Sequence, residues 1–440
     1  MKTDMRVLAI PLRGIEGEIR SLLSNESHRI SEVVDFLLTK SVQFNSSDIH
    51  FEPTSRGLRV RYRIDGMFHE VLCLPGAVQE QVISRIKVMA DLHSHKREIV
   101  QEGRIPFEWR GKALDFRVSI IPTVAGEKMV VRIFDPVRST FELEELGYSP
   151  EVLEELMSLL MGLQGMVILT GPAGSGKTTT LYSCLLKVRE ELGHFASIVA
   201  IEDPVEYEVG EFAQMQVNRT HGLDFARGLR AVLRQDPEVI MVGEIRDEET
   251  CEVALKAALT GHLVLTTIHA GNTAEVIVRL LNMEMRPFIV ASAVTGVVAQ
   301  RLVRMICPDC RMPCRIEEPY EEFIRGLLRL EEVHTYRGRG CNTCQGTGYR
   351  GRTVIGELLT VEEDVRREIL RGTSTPELAA LAKRRGMRTV FEDGLQRVVD
   401  GITTFEEVLR VAGAANVRKS PTENVEGVTN FDEVLRLANA

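Results

Sequence analysis

A short apolar run leads straight into a glycine-rich turn near the middle of the chain. Residues 166–170 read MVILT, and residues 171–180 read GPAGSGKTTT. An apolar strand, a turn with the spacing G-x-x-x-x-G-K-[ST] and a helix-compatible segment after it are typical of a phosphate-binding loop. The stretch therefore predicts an α/β domain organised around a bound nucleoside triphosphate.

Each residue type in this turn has a physical reason to be there. Glycines let backbone N–H groups turn toward a polyphosphate, and the start of the following helix adds partial positive charge. Lys177 is expected to reach the β- and γ-phosphates, and Thr178 is expected to ligate Mg²⁺. The predicted contacts to ATP are Gly171, Pro172, Ala173, Gly174, Ser175, Gly176, Lys177, Thr178 and Thr179.

Length and charge narrow the class of protein. The chain has 440 residues and a formal net charge of −9. The length predicts about three domains, and the acidic balance argues against a general nucleic-acid binder, because such proteins carry a basic face.

The sequence shows neither a signal peptide at its start nor the pattern expected of a membrane span. The apolar run at the start is broken by Asp4, Arg6 and Pro11, unlike a signal peptide. The uncharged run 287–300 is shorter than the roughly 20 residues of a membrane span. We therefore expect a cytoplasmic protein that meets a membrane only through partners.

Four apolar runs predict the strands of a mostly parallel sheet flanked by helices. They are residues 166–170, 197–201, 239–242 and 263–267. Ligands bind at the carboxyl ends of strands in such sheets. Polar residues that directly follow these runs are therefore expected to meet at the phosphates.

Acidic and histidine residues follow three of the runs. Glu202 and Glu244 come after the second and third runs, where a carboxylate can hold Mg²⁺ or orient a water for attack on a phosphate. Glu244 is interpreted as the acid on the Mg²⁺ side, whereas Asp247 is interpreted as a helix cap. His269 follows the fourth run and either senses the γ-phosphate or is structural, and His262 is the weaker of the two candidates.

Four cysteines form two C-x-x-C pairs. Four thiolates satisfy the tetrahedral preference of Zn²⁺ and predict a closed structural site. Its ligands would be Cys307, Cys310, Cys341 and Cys344. Cys314 could substitute for one of them or stay free. Three further cysteines lie in apolar surroundings and are expected in the core, namely Cys73, Cys184 and Cys251.

Arginines recur at the strand ends of the N-terminal half and on one helical stretch. Most are expected to be solvated, but Arg104 follows the flexible Gly103 and could reach a phosphate on a neighbouring subunit. The stretch 225–237 carries Arg227, Arg230 and Arg234, which suit either a docked helix face or a solvated one.

Changes of pattern divide the chain into six parts. The parts are a lead-in helix (1–43), an α+β domain (44–135), a linker (136–150), the nucleotide-binding domain (151–304), the cysteine region (305–352) and a helical C-terminal region (353–440).

A short repeat lies in the last of these parts. The segments FEEVLR (405–410) and FDEVLR (431–436) predict a duplicated helix used for packing or docking.

Several segments, taken in order, resemble the secretion ATPases that drive type II secretion and type IV pilus assembly. The resemblance covers roughly residues 44–410. Besides the phosphate-binding loop and the four cysteines, the matching segments are DIHFEP (48–53), RYRIDG (61–66), QEGR (101–104), IEDPVE (201–206), 229–247 and 260–269.

The resemblance implies a homo-hexamer of RecA-like domains, each preceded by a PAS-like domain. Arg104 and Arg117 of that PAS-like domain would contact the γ-phosphate, and Glu202 would activate water, with Glu244 on the Mg²⁺ side. ATP hydrolysis would then drive an inner-membrane platform protein, so the chain would lie at the inner face of the plasma membrane.

Some features separate this chain from the family pattern and leave other functions open. The lead-in is too short for the usual extra N-terminal domain, residues 270–273 (AGNT) are looser than the usual pattern, and the repeated tail is additional. Retraction motors of the superfamily lack the cysteine pairs, so their presence favours assembly or secretion. An ATP-gated assembly switch with little turnover is the alternative from another class, and a nucleic-acid translocase is disfavoured by the charge.

Overall fold

The computed structural model describes residues 18, 19, 30–134 and 142–413. Its N-terminal part is an antiparallel sheet of six strands in the order β3-β2-β1-β6-β5-β4. The elements of this part are α1 (Ile30–Gln43), β1 (Ser46–Thr54), β2 (Gly57–Ile64), β3 (Met67–Leu74), α2 (Gly76–Met89), β4 (Gln101–Trp109), β5 (Lys112–Thr123) and β6 (Gly126–Phe134).

Two helices bury their apolar sides with one face of this sheet. The predicted face of α1, Val33, Val34, Leu37 and Leu38, is buried. The α1 backbone is joined to the sheet by Tyr62, whose hydroxyl donates to the Leu37 carbonyl at 2.6 Å. The α+β character expected for this part is confirmed by the alternation of these helices with paired strands.

A seven-stranded sheet in the order β15-β12-β7-β11-β10-β8-β9 follows. Its first elements are a 3₁₀ turn (Leu143–Leu146), α3 (Pro150–Met161), β7 (Gly165–Thr170), α4 (Lys177–Leu192), β8 (Ile198–Glu202), β9 (Ala213–Gln216), α5 (Phe225–Val232) and β10 (Val239–Val242). The remaining elements up to the cysteines are α6 (Glu248–Leu259), β11 (Leu263–Thr267), α7 (Thr273–Asn282), α8 (Pro287–Ala293) and β12 (Val294–Ile306).

The four predicted strands are confirmed, and they lie side by side and parallel at the centre of the sheet. Their residues are buried on both faces, as expected for continuous apolar runs in a sheet covered by helices. The sheet is wider than predicted, because β12 pairs in parallel with β7 and in turn accepts β15 (Tyr349–Thr360) antiparallel on its far side. Residues beyond the cysteines thus complete the sheet that carries the phosphate-binding loop.

The C-terminal part combines a small hairpin with short helices. A two-stranded sheet of β13 (Arg311–Cys314) and β14 (Thr335–Gly338) flanks α9 (Glu318–Leu328). Beyond β15 the predicted helical pattern is confirmed in α10 (Glu363–Arg371), α11 (Thr375–Arg384), α12 (Val390–Val399) and α13 (Phe405–Val408), which continues into a π-helical turn at Leu409–Gly413. The second copy of the terminal repeat, 431–436, lies outside the described residues.

Among the residues that the structure describes, no helix combines the length and the apolar character that a membrane span requires.

Candidate nucleotide site and cysteine cluster

The predicted phosphate-binding loop joins the carboxyl end of β7 to the first turn of α4. Gly171, Gly174 and Gly176 have φ angles of 149°, 76° and 87°. A Cβ at Gly171 would lie 2.5 Å from the backbone oxygen of Gln300, so β12 approaches the loop too closely for another residue. Gly176 caps α4 without a side-chain hydrogen bond, which leaves the first N–H groups of the helix for a ligand.

Lys177 is folded back over this loop. Its Nζ donates to the carbonyl of Gly171 at 2.9 Å and to that of Pro172 at 3.0 Å. Burial holds the pKa of Lys177 below its usual value, and nearby Arg301 lowers the pKa further while Glu244 opposes the effect. Thr178 and Thr179 follow in the first turn of α4 and are half-buried. The predicted Lys and Thr are thus on the same turn as the glycines.

Glu244 lies at the same edge, just beyond β10. One of its carboxylate oxygens is 2.5 Å from Arg246 Nη2, and the other is 3.8 Å from His269 Nε2. Glu244 is also close enough to Lys177 for its charge to raise the pKa of that lysine. Lys177, Glu244 and His269 therefore lie near one another at this edge of the sheet.

The turn that carries His269 is fixed to the end of β7. Thr170 Oγ1 donates to the Ala270 carbonyl and accepts from the Ala270 N–H, both at 2.9 Å. Arg279 Nη1 donates to the His269 carbonyl at 2.8 Å. His262 is not part of this turn: its Nδ1 is 2.9 Å from the Ala257 carbonyl at the end of α6, where the ring supports the helix terminus.

Glu202 ends β8, the strand next to β10, and its side chain is buried. The Tyr182 hydroxyl from α4 donates to Oε2, and Gln214 Nε2 from β9 donates to Oε1 at 3.0 Å. Burial raises the pKa of Glu202, an effect that these two hydrogen bonds oppose. The Glu202 carboxylate is therefore held by neighbours on two elements, α4 and β9.

Asp247 is the N-cap of α6, as the sequence suggested. Its Oδ1 accepts from the N–H of Thr250 at 2.8 Å. Since this cap uses the carboxylate for the helix, Asp247 does not join the acids at the nucleotide edge.

The two arginines singled out in the N-terminal part lie opposite each other on β4 and β5. Arg104 pairs across the strands with Arg117. Arg117 Nη2 donates to the Glu206 carbonyl at 3.3 Å, four residues past Glu202, and its guanidinium stacks 4.8 Å from the Phe134 ring centre. Arg104 is exposed, and its side chain has no hydrogen-bond or ion-pair partner among the described residues.

The arginines of the stretch 225–237 are exposed on and after α5. Arg230 pairs with Glu249 of α6 at 2.8 Å, and Arg227 Nη1 donates to the Gly222 carbonyl at 3.0 Å. Within the described chain they make surface contacts only, which leaves both interpretations of this face open.

The two C-x-x-C pairs come together beside the β13–β14 hairpin. All four sulfur atoms lie within 4.8 Å of one another, and three pairs, Cys307–Cys341, Cys310–Cys344 and Cys341–Cys344, are 3.7–3.8 Å apart. Cys344 Sγ also accepts from the backbone N–H groups of Cys341 at 3.2 Å and Gly348 at 3.3 Å. Sulfurs bound about 2.3 Å from one tetrahedral Zn²⁺ would be about 3.8 Å apart, so the spacing fits a metal centre and is too long for disulfides.

The other cysteines are separate from this cluster. Cys184 and Cys251 are buried, as predicted. Cys73 is exposed, so its prediction as a core residue is wrong: β3 is an edge strand, and at this position its alternating side chains face outward. Cys314 lies on β13, with its sulfur 3.6 Å from Thr335 Oγ1.

Four residues at the nucleotide edge were not singled out from the sequence. Tyr182 and Gln214 hold Glu202, and Gln300 and Arg301 stand at the loop from β12. Arg301 donates to the carbonyls of Gln300 at 2.9 Å and of Gly271 at 2.8 Å. Gln300 and Arg301 could have been found from the sequence, because they form a polar pair that interrupts a long apolar run. Tyr182 and Gln214 have no comparable pattern around them that indicates a role in the site.

Comparison with known proteins identifies the family of this chain. A family model described as "Type II/IV secretion system protein" matches residues 24–410. The chain is 41% identical to the "Type IV pilus assembly ATPase PilB" of Thermus thermophilus, over 90% of this chain and 44% of the relative. It is 40% identical to the "Type II secretion system protein HxcR" of Pseudomonas aeruginosa, over 90% of this chain and 80% of the relative. The chain therefore spans less than half the length of the Thermus protein.

Two solved structures share the fold. One is the Legionella pneumophila ATPase DotB, with a TM-score of 0.65 at 22% identity, covering 87% of this chain and 96% of that one. The other is the pilus retraction motor PilT with bound ADP, with a TM-score of 0.55 at 24% identity, covering 87% and 97%. At such identities the likeness concerns the fold alone. The family match and the relatives at about 40% identity show that this chain belongs to the Type II/IV secretion system protein family, alongside secretion and pilus-assembly ATPases.

Proposed function

We propose that this chain is an ATP hydrolase that works as a motor in type II protein secretion or type IV pilus assembly. The observation that carries the proposal is the meeting of Lys177, Glu244 and His269 at one edge of the sheet, beside a loop with the glycine spacing of a phosphate site. Membership of the secretion family adds the biological setting.

The loop and Lys177 bind the phosphates in this proposal. The residues that would line the polyphosphate are Gly171, Pro172, Ala173, Gly174, Ser175, Gly176, Lys177, Thr178 and Thr179. All except Pro172, which has no backbone N–H, can donate through the main chain, and Lys177 also donates through Nζ. Nζ can leave the two loop carbonyls that it now contacts, because a phosphate oxygen is the stronger acceptor for an ammonium group.

Thr178 and Glu244 would hold Mg²⁺. Both residues present side-chain oxygen atoms, the ligands that Mg²⁺ prefers. Thr178 directly follows Lys177 at the start of α4, and Glu244 lies just beyond β10. When bound, the ion neutralises charge on the phosphate oxygens. His269, whose Nε2 is 3.8 Å from Glu244, would respond to the γ-phosphate.

Glu202 would accept the proton of the attacking water. A general base works best when its pKa is near the working pH, and burial raises the pKa of this carboxylate toward that range. Tyr182 and Gln214 orient its two oxygens by hydrogen bonds.

Arg104 and Arg117 would complete the site across subunits of a homo-hexamer. Exposed Arg104 is available to a neighbouring copy, and Arg117 already contacts the segment that follows Glu202 through Glu206. An arginine at the transferring phosphoryl group stabilises the charge of the transition state. Closing and opening around ATP would then move an inner-membrane platform protein from the cytoplasmic side, and the acidic net charge of −9 is in keeping with a partner other than nucleic acid.

The cysteine cluster would hold one structural Zn²⁺ through Cys307, Cys310, Cys341 and Cys344. The supporting observation is the sulfur spacing of 3.7–3.8 Å. Four thiolates leave no open position for a substrate water, so the ion would be structural. It would support the β13–β14 sheet and present exposed arginines around the cluster, Arg337, Arg339 and Arg350, to a partner.

Phosphate release by the purified full chain tests the hydrolase proposal. We expect hydrolysis that depends on Mg²⁺ and falls by at least about a hundredfold in Lys177→Ala, because the variant loses a cation at the transferring phosphate. Lys256→Ala is the matched control, since Lys256 is an exposed helical lysine whose one ion pair within the described part of the chain is with Glu252. Absence of hydrolysis in the wild type, or full hydrolysis in Lys177→Ala, would overturn the assignment.

A further inference from the structure

A buried chain of hydrogen bonds connects the segment before α3 to the phosphate-binding loop. Gln300, on β12, is fully buried, and its Nε2 donates to the Ser175 carbonyl at 2.8 Å. Its Oε1 accepts from the Tyr148 hydroxyl at 2.5 Å, and this hydroxyl is 3.5 Å from Thr180 Oγ1 in α4. The chain thus runs from loop to strand to connecting segment and back to the helix after the loop.

The partners fix the orientation of the Gln300 amide. A backbone carbonyl only accepts, so the Ser175 oxygen must face the NH₂ group of Gln300. The amide oxygen is then left for Tyr148, whose hydroxyl must donate to it. Exchanging the two ends of the amide would place its oxygen against the Ser175 carbonyl oxygen and lose that hydrogen bond.

This orientation bears directly on the loop. In a trans peptide the C=O and the N–H of one unit point in opposite directions. By holding the Ser175 carbonyl toward β12, Gln300 holds the N–H of Gly176 on the opposite side, toward the loop interior where a phosphate would bind. The φ of 87° at Gly176 lets the chain turn directly into α4 from that position.

Tyr148 is itself held firmly in place. Arg397 Nη2 donates to the Gly147 carbonyl at 2.7 Å, and Gly147 has φ 92° with no room for a Cβ, which would lie 1.9 Å from Thr353 Oγ1. The Tyr148 ring packs against Gly356 of β15, where a Cβ would be 3.0 Å from the ring. The segment 142–149 therefore presents the hydroxyl from a fixed position.

We propose that Gln300 and Tyr148 are positioning residues for ATP: they set the peptide of Ser175 and Gly176 in its phosphate-binding orientation and make the segment before α3 part of the nucleotide site. This proposal rests on the proposed function of the loop. It predicts that binding of nucleotide depends on a hydroxyl whose residue lies outside the phosphate-binding motif.

The test compares two buried tyrosine hydroxyls. Tyr148→Phe removes one hydroxyl and keeps the ring, and Gln300→Leu removes both hydrogen bonds at similar volume. Tyr62→Phe is the matched control, because the Tyr62 hydroxyl is also buried and donates to a backbone carbonyl, in the N-terminal sheet. ATP affinity is measured by calorimetric titration and KM by phosphate release, with the melting temperature of each variant alongside.

We expect the ATP Kd and KM to rise about five- to tenfold in Tyr148→Phe and Gln300→Leu, with kcat changed less, the size expected for one hydrogen bond that orients a binding group. Tyr62→Phe should lower the melting temperature and leave both constants unchanged. Wild-type affinity in Tyr148→Phe, with a melting temperature lowered as in Tyr62→Phe, would overturn the proposal and leave the hydrolase function standing. Failure of the wild type to bind ATP would overturn the proposed function together with it.

Discussion

The nucleotide edge and the cysteine cluster are built in opposite ways. The nucleotide edge draws on separate segments between Gly171 and Arg301, and its charged groups, such as Lys177 and Glu244, are held by contacts that a ligand can replace. The cysteine cluster uses two short segments 34 residues apart, and its sulfurs contact one another and the backbone of their own loop. One region is arranged to change its contacts, and the other is arranged to keep them.

This difference suggests a division of labour. Half-exposed groups at the end of a parallel sheet can exchange partners during a reaction, whereas four sulfurs at metal spacing form a closed site. Substitutions at the nucleotide edge should therefore change rates, and substitutions at the cysteines should change metal content and local folding.

The largest effect on the nucleotide side is expected for the arginines of β4 and β5. Arg104→Ala and Arg117→Ala should each fold and bind ATP but lose turnover by about a thousandfold or more, the scale of an arginine that stabilises phosphoryl transfer. Steady-state phosphate release by the purified chain measures this loss. Arg110→Ala, on the turn between the same strands, is the control. Full activity in both variants would make these arginines ordinary surface residues.

Glu202→Gln is expected to have the next largest effect. The amide keeps the volume but accepts no proton, so turnover should fall about a hundredfold while the ATP Kd stays near that of the wild type. Rapid-mix phosphate release with a parallel binding titration separates the two quantities. Normal turnover in Glu202→Gln and a large loss in Glu244→Gln would transfer the role of base to Glu244.

The pH dependence of stability gives a separate test of the burial of Glu202. Burial raises the folded-state pKa of Glu202 above the ordinary value of about 4.5, so the folded state favours the neutral acid more than the unfolded state does. The resulting stabilisation is complete below pH 4.5 and is lost as the pH rises through the raised pKa. Melting temperatures between pH 4 and 8 should therefore show Glu202→Gln gaining on the wild type as the pH rises. A difference that is constant across this range would contradict the burial.

The smallest effect on nucleotide is expected from the cysteines. Cys341→Ser should lower the zinc content below one ion per chain, because one thiolate of the closed site is lost, and should change the ATP Kd by less than about twofold. Metal analysis of protein purified without chelator measures the first quantity. Cys314→Ser is the control, since its sulfur lies apart from the cluster on β13. A metal-free wild-type preparation with intact folding would sink the zinc proposal.

The centre of the fold was readable from the sequence, and the reason is local. The runs that became β7, β8, β10 and β11 are short, apolar and followed by turn residues, and a strand buried on both faces requires that pattern. The glycine spacing predicted the loop for the same reason, since its conformation depends on nearby residues.

The outer strands were less readable. Residues 294–306 form an apolar run interrupted by Gly296, Gln300 and Arg301, which obscured a strand that is set by pairing with β7 and β15. Cys73 illustrates the same limit, because its exposure depends on which face of β3 its side chain occupies: Leu72 and Leu74 on either side are buried, and Cys73 faces outward.

Site residues that act through others were the hardest to find. Tyr182 and Gln214 reach Glu202 from a helix and an edge strand that are adjacent only in the folded chain. Tyr148 reaches Gln300 across 152 residues. No sequence spacing predicts such contacts between distant residues. The C-x-x-C pairs were recognisable in the sequence because metal binding fixes their local spacing.

The division between an exchanging site and a closed site can be tested on a single set of samples. ATP turnover, ATP affinity and zinc content are measured for the wild type, Glu202→Gln and Cys341→Ser, each purified identically. We predict that Glu202→Gln loses turnover and keeps close to one zinc per chain, while Cys341→Ser loses zinc and keeps its ATP affinity. Loss of ATP binding in Cys341→Ser, or loss of zinc in Glu202→Gln, would contradict this division.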